Sequence, residues 1–532
     1  MPDGRGDRTR PGSITRRRLL VAGGYAAGTW LVGSRMGRTY ESSATSPEQA
    51  RQPTVRIRTD EPAVPGAPTP PRDDHLFDIV IRGGRVMDPE SGFDRVADVG
   101  IDEESIRRIG LGLRGRTVID AAGLVVAPGF IDVLSYEPNP FGIWFKVADG
   151  VTTNLGMHGI NQTVDEFVAT YGGRTPTHIG GAFDNPFMRY TRLGLGIGEA
   201  SDPAQEQALA RMAAEELDRG WLGVDFEPEY TPGVTTSEMI AIAAQAAARN
   251  RPAFFHVRYS DPERNDEAIA EVLQVARSTG ASVHVDHVSS TGGLGTMERT
   301  LETLESARDE GVDVTADVYP YDFWATTLGA ERFSPDPRDG RSVVERFGVE
   351  WEHLVVVGTG ERLTRERFEQ LRRAGENPLV AVIDSIPEQE IEAALRSDLV
   401  MVASDAIPEK ERWNHPRAAG TFARLFARYV RERATLTLME AIAKCSLLPA
   451  RRLEQAAPVM RRKGRVQVGA DADLVVFDPQ RIEDRATLEE PRRTSAGIEW
   501  VLVSGRVVKT PLMKNYDDFD QSVLPGRVIL PS

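Results

Sequence analysis

One cysteine, Cys445, occurs in 532 residues. No intrachain disulfide can form, so an exported form of the chain must be stable without that staple. Positive charge is short as well: 64 Lys and Arg stand against 79 Asp and Glu, a formal net charge of −15. Residues 1–44 hold eight Arg and three acidic residues, which leaves the rest of the chain at −20. So acidic a body argues against nucleic acid as a partner. The apolar run Leu19 to Gly33 is too short and too rich in Gly for a membrane span. No internal repeat is present.

The remaining composition is that of a soluble globular protein, 40% hydrophobic with a mean hydropathy of −0.32. The length exceeds one small core and implies two or more domains. Thr15-Arg16-Arg17-Arg18 precedes the mildly apolar run and resembles a twin-arginine export signal. That route carries folded proteins and suits an enzyme loaded with metal before export. Residues 1–44 are therefore expected to be a signal, with Ser42-Ser43-Ala44 as a cleavage site. The mature protein is expected outside the cytoplasm: extracellular, periplasmic or at the cell surface, with no stable membrane span. An Arg-rich tail or an uncleaved anchor is the alternative reading. Residues 45–74, rich in Pro, Thr, Arg and Asp, read as a disordered linker.

Two β-rich ends flank a long α/β middle. Leu76–Ile81 and Arg85–Met87 read as strands separated by a Gly83-Gly84 turn, and Ala97–Ile101 and Thr117–Asp120 continue the pattern. Ala472–Phe477 and Val501–Val508 answer them near the other end. Residues 75–128 and 462–510 are thus expected to build one small β-domain. Between them, candidate strands fall at Gly129–Tyr136, Val151–Met157, His178–Ala182, Gly223–Phe226, Ala253–His256, Ser282–His287, Val312–Val318 and Leu399–Ala403. Amphipathic stretches such as Pro203–Arg219 separate most of them. Eight strands with intervening helices predict a (β/α)8 barrel over 129–461. The stretch 330–398 is too long for one connection and reads as an insertion.

Chemistry in such a barrel sits at the C-terminal ends of the strands. His158, His256, His287 and Asp405 all fall there. Three imidazoles around one open position are the usual layout of catalytic zinc. Such an ion acidifies bound water, and a neighbouring carboxylate, Asp405, can move its proton to a leaving amine. Each residue has a plainer reading: a backbone contact for His158, satisfied core histidines for His256 and His287, a helix cap for Asp405. Glu227 and Glu229 follow the fourth strand. Glu229 is a candidate further ligand or base, a solvated loop carboxylate being the alternative. His284 faces away from His287 and reads as structural.

The ordered motifs between residues 76 and 508 carry a specific resemblance. They include Phe77-Asp78-Ile79-Val80-Ile81-Arg82-Gly83-Gly84, Ala127-Pro128-Gly129-Phe130-Ile131-Asp132 and Asp149-Gly150-Val151-Thr152-Thr153. Tyr230-Thr231-Pro232-Gly233, His256-Val257-Arg258, Asp317-Val318-Tyr319-Pro320-Tyr321, Ser404-Asp405 and His415-Pro416-Arg417 follow, then Gly420-Thr421-Phe422 and Ala470-Asp471-Ala472-Asp473-Leu474. The chain resembles the D-aminoacylase (N-acyl-D-amino-acid deacylase) branch of the amidohydrolase superfamily. The resemblance implies a (β/α)8 barrel with a β-sandwich from both termini, one zinc ion, and hydrolysis of an N-acyl amide of a small molecule. It maps the zinc ligands to His256, His287 and, in place of a family cysteine, His158. It maps the catalytic Asp to Asp405, and contacts to a substrate carboxylate to Arg258, Tyr319 and Arg417. Two departures stand out. The family's His-x-His pair is Leu134 and Tyr136, and its Lys after the sixth strand is Ser289. Hydrolysis of a cyclic amide or other C–N bond, and a barrel that binds without turnover, are the rival expectations.

Overall fold

A computed structural model describes residues 61–72 and 74–531. The export segment expected over 1–44 lies outside the described residues. No helix among the described residues is long and apolar enough to cross a membrane.

The β-domain is organised on one 13-residue strand, Leu76–Asp88. The Gly83-Gly84 pair is not a turn between two strands. It is a bulge inside one, with Gly83 at φ +68° and a register shift against Phe93–Asp102 between Ile81 and Gly84. The two halves of the strand then take different parallel partners, Arg114–Asp120 and Val125–Pro128. Val125–Pro128 pairs antiparallel with Leu474–Phe477, which carries Ile498–Val503 and Arg506–Lys509. Both ends of the sequence therefore share one eight-stranded sheet, whose inward residues Ile81, Val86, Ile106, Leu474 and Leu502 form one core. Part of the expected linker also belongs here. Val64 and Val468 exchange backbone bonds with their neighbours (Val64 N to Val468 O, 3.0 Å; Val468 N to Pro62 O, 2.8 Å), and Val64 is buried. The sheet edge offers unpaired backbone groups and an apolar socket, which outweigh the polar composition of this segment.

The barrel strands are β1 (Phe130–Asp132), β2 (Val151–Gly156), β3 (His178–Gly181), β4 (Val224–Phe226), β5 (Ala253–Phe255), β6 (Val283–Val285), β7 (Val314–Val318) and β8 (Val400–Val402). β1–β3 pair parallel in order, as do β4–β8, and Phe183–Asp184 pairs with β4 where the chain passes on from β3. Each is short and buried on both faces, which is why it reads as a bare apolar run. The helices read equally well. Pro203–Arg219 starts on an Asp202–Gln205 capping box with proline in its first turn, and buries Leu209, Ala213 and Leu217.

Side chains stitch β8 to β1. Asp132 on β1 accepts bonds from the Ser404 backbone (3.0 Å) and hydroxyl (2.6 Å) and from Lys146 (3.0 Å). All three residues are buried, so the lysine neutralises a carboxylate that water cannot reach.

The insertion between β7 and β8 starts earlier and ends earlier than 330–398. Its sheet joins Trp324–Thr327, Leu354–Val356, Glu361–Arg362 and Leu379–Val382. Helix Glu388–Arg396 packs on β8 and on helix Met297–Asp309 through Ile391, Ala394 and Leu395, and so belongs to the barrel's outer layer. An amphipathic helix does not by itself declare which layer it covers.

Candidate metal centre

The ends of β5, β6 and β8 converge. His256 Nδ1 and His287 Nε2 lie 3.2 Å apart. Two nitrogens bound to one tetrahedral zinc at 2.0–2.1 Å would stand about 3.3 Å apart. His256 is aimed by its other nitrogen, which meets Glu229 Oε2 at 2.7 Å, while Ser260 donates to the same oxygen at 2.7 Å. Glu229 thus orients a ligand, as carboxylates behind metal-binding histidines do. It is not itself part of the facing pair.

Asp405 stands beside His287. Its Oδ2 is 3.7 Å from His287 Nε2 and 2.6 Å from Arg417 Nη2. Its Oδ1 is buried and has no hydrogen-bond partner among the described residues. His287 and Asp405 both take left-handed backbone, at φ +31° and +50°. Such geometry is costly for non-glycine residues and gathers at functional sites. At His287 it is held by Asp317, whose Oδ1 accepts the His287 backbone N–H at 3.0 Å. Burial lowers the pKa of His256, with only partial compensation from Glu229, and lowers that of His287 further, the neighbouring imidazoles adding to it. Both rings are therefore held neutral, the form that binds metal. Burial works to raise the Glu229 pKa, but Arg332 and the bonds from His256 and Ser260 outweigh it and keep the carboxylate ionised.

His158 stands beside this pair. Its ring centre lies 6.1 Å from that of His256 and 6.3 Å from that of His287. Its nitrogens face Asp225 Oδ1 (3.3 Å) and Glu227 Oε1 (3.6 Å) instead. Burial acts to lower the His158 pKa, yet Glu227, Asp225 and Asp286 together lift it well above the ordinary value.

Leu134 is buried in the barrel and Tyr136 stands edge-on to His158, 5.0 Å between ring centres. The positions of the missing His pair are thus filled by packing groups.

The expected substrate residues divide. Arg417 and Tyr319 line the cavity over the pair, with the guanidinium 4.4 Å above the tyrosine ring. Arg417 is already paired with Asp405. Arg258 is not at the cavity. It forms a two-point ion pair with Glu271 (2.9 Å for both bonds) and donates to the Val234 carbonyl. A guanidinium two residues beyond a strand-end histidine points back to the helix layer, where an acidic partner satisfies it. His284 bonds Thr315 (2.7 Å) and Asp317 (2.9 Å), on the opposite side of its strand from His287.

The cavity measures about 810 Å³ and runs from the His256–His287 pair to the insertion. Arg332 lines it and was missed in the sequence. This buried guanidinium stacks on Trp324 at 3.9 Å and donates to the Ser290 carbonyl, with no carboxylate at ion-pair distance among the described residues. No motif surrounds it, so only the folded insertion reveals it. Asp225 did carry a signal: it is the one charged residue in the apolar run Gly223–Phe226.

Two imidazoles and a carboxylate thus stand near one another at the C-terminal ends of parallel barrel strands, where the chemistry of this fold lies. Residues 360–509 match the Amidohydrolase family model. The N-acyl-D-glutamate deacylase of Alcaligenes xylosoxydans xylosoxydans is 32% identical over 505 residues, covering 85% of this chain and 96% of the relative. The D-aminoacylase of the same organism is 27% identical, covering 82% and 95%. The crystal structure of N-acyl-D-glutamate deacylase from Bordetella bronchiseptica, complexed with zinc and a phosphonate mimic of the tetrahedral intermediate, matches at 27% identity with a TM-score of 0.68, over 86% of this chain and all of that one. The chain belongs to the amidohydrolase family, in its N-acyl-D-amino-acid deacylase branch, and is a hydrolase of C–N bonds other than peptide bonds.

Proposed function

We propose that the protein hydrolyses an N-acyl-D-amino acid with an acidic side chain, releasing a carboxylic acid and the free amino acid, with one zinc ion at the His256–His287 pair. The observation that carries this reading is the 3.2 Å approach of two neutral imidazole nitrogens with Asp405 Oδ2 beside them. A zinc ion there supplies a Lewis acid for the amide carbonyl and a nucleophilic water at neutral pH. Asp405 accepts the water's proton on its free carboxylate oxygen and returns it to the leaving nitrogen. Arg417 fixes the other oxygen of Asp405, so that the carboxylate keeps one orientation through both transfers. Glu229 keeps the His256 ring turned toward His287.

Arg332 supports an acidic substrate. Its nearest carboxylate influence is Glu229, which forms no direct ion pair with it, and a substrate carboxylate entering the cavity would supply that pair. The D-glutamate and D-aspartate substrates named for two relatives point the same way. A panel of N-acyl-D-glutamate, N-acyl-D-leucine and N-acyl-L-glutamate tests the reading by release of free amine. Turnover of the first well above the other two is expected. No turnover of any of the three by zinc-loaded protein would overturn it.

Export of the folded, metal-loaded protein through a twin-arginine route belongs to the same proposal and rests on the Arg16-Arg17 pattern. Replacing both arginines by lysine is expected to leave the protein in the cytoplasmic fraction, and unchanged export would refute it.

A further inference from the structure

The two facing imidazoles are aimed by different means. His256 is held through its ring, by Glu229 at 2.7 Å. The free ring nitrogen of His287, Nδ1, has only the Ser290 hydroxyl, at 3.4 Å. Its aim therefore has to come from the backbone. That backbone is strained, at φ +31° and ψ +56°, a region a non-glycine residue leaves unless its surroundings hold it there. The carbonyl side of His287 is held locally, by the Ser290 N–H (2.9 Å) and by the hydroxyls of Ser290 (3.1 Å) and Thr291 (3.3 Å). The amide side is held from another strand, by Asp317 Oδ1 at 3.0 Å.

Asp317 in turn depends on His284. The two are register neighbours inside the barrel: His284 on β6 pairs with Thr315 on β7, and Asp317 lies two residues further along, on the same face as Thr315. The His284 ring stands between them, Nδ1 at 2.7 Å from Thr315 Oγ1 and Nε2 at 2.9 Å from Asp317 Oδ2. Phe254, its register partner on β5, covers the ring at 4.6 Å between centres. His284 and Asp317 are completely buried. Among the described residues, no other side chain bonds Asp317, and no lysine or arginine pairs with it. Without His284, nothing but the His287 amide would fix the rotation of that carboxylate. An apolar side chain could pack on Phe254 equally well and would avoid burying a polar ring. A buried network with every member bonded fixes one arrangement of its surroundings.

We propose that His284 is a positioning residue for the metal centre: through Asp317 it holds the left-handed backbone of His287, and so sets where that imidazole stands relative to His256. It bonds neither imidazole of the pair. Its effect on zinc rests on the reading of that pair as the zinc site; its effect on the backbone does not.

The test compares His284→Leu, which removes both bonds, with His284→Gln, whose amide keeps a donor for Asp317. Crystal structures of the metal-free proteins give the first readout. His287 is expected to leave the left-handed region in the leucine variant and to keep it in the glutamine variant. Zinc affinity, measured against a competing chelator, gives the second. It should weaken roughly 10–100-fold in the leucine variant, the range for losing a partner behind a metal ligand, and largely recover with glutamine. Thr315→Val, which takes only the outer bond, should weaken zinc in the same direction by less. An unchanged His287 backbone or wild-type zinc affinity in folded His284→Leu, or a glutamine variant as weak as leucine, would overturn the proposal. Should the leucine variant not fold, wild-type zinc affinity in Thr315→Val would do so. No zinc at the pair in the wild type, with the His287 backbone still displaced in His284→Leu, would sink the functional reading and leave the positioning role standing.

Discussion

Two sides of one barrel mouth hold histidines at equivalent places, and their neighbours give them opposite chemistry. At the ends of β5 and β6, His256 and His287 face each other, are neutral, and present nitrogens 3.2 Å apart. At the end of β2, His158 is drawn to Asp225, Glu227 and Asp286, and its pKa moves the other way. Strand-end position supplies the histidine, and the charge of the adjoining strands decides what it can bind. Leu134 and Tyr136 add to the contrast, because on the side nearest β1 an apolar residue and a tyrosine at the cavity wall stand where the pair of imidazoles would be.

The largest effect that sharpens this contrast is expected at the neutral pair. His287→Ala should lose the zinc and bring amide hydrolysis down to the level of buffer, measured by metal content and amine release on the same sample. Zinc and turnover surviving in that variant would erase the distinction between the two sides. Asp405→Asn comes next: kcat should fall about 10²–10⁴-fold, the range of general acid–base catalysis, while zinc content stays unchanged.

Asp132→Asn probes the frame that holds both sides. It leaves Lys146 buried without its carboxylate, and such a loss costs about 3–5 kcal/mol. A lower denaturation midpoint with unchanged zinc affinity in the folded protein is expected. The smallest effect is assigned to Arg332→Gln. Loss of a charged hydrogen bond worth about 1.5–3 kcal/mol should raise KM for the acidic substrate by roughly 10–100-fold and leave kcat and the neutral substrate nearly unaffected. An equal loss for acidic and neutral substrates would mean that Arg332 serves the fold.

Much of this architecture was legible in the chain. All eight barrel strands follow from short apolar runs bounded by turns and amphipathic helices, because parallel strands buried on both faces leave that pattern. His256, His287 and Asp405 were found by their places at strand ends. Other features depend on contacts that no local pattern encodes. Gly83-Gly84 signals a break in either reading, and only pairing with Arg114–Asp120 and Val125–Pro128 makes it a bulge. Val64 looked like linker because its docking partner, Val468, is distant in the chain. The carboxylates that face His158, Asp225 and Asp286, come from other strands, so its surroundings are not legible locally. Arg258 has the position of a substrate contact and the partner, Glu271, of a structural ion pair.

Zinc-edge anomalous diffraction on zinc-loaded crystals tests the central claim most directly. A single strong peak within about 2.1 Å of both His256 Nδ1 and His287 Nε2, beside Asp405, is the predicted result. A zinc peak on His158 with none between His256 and His287 would contradict it.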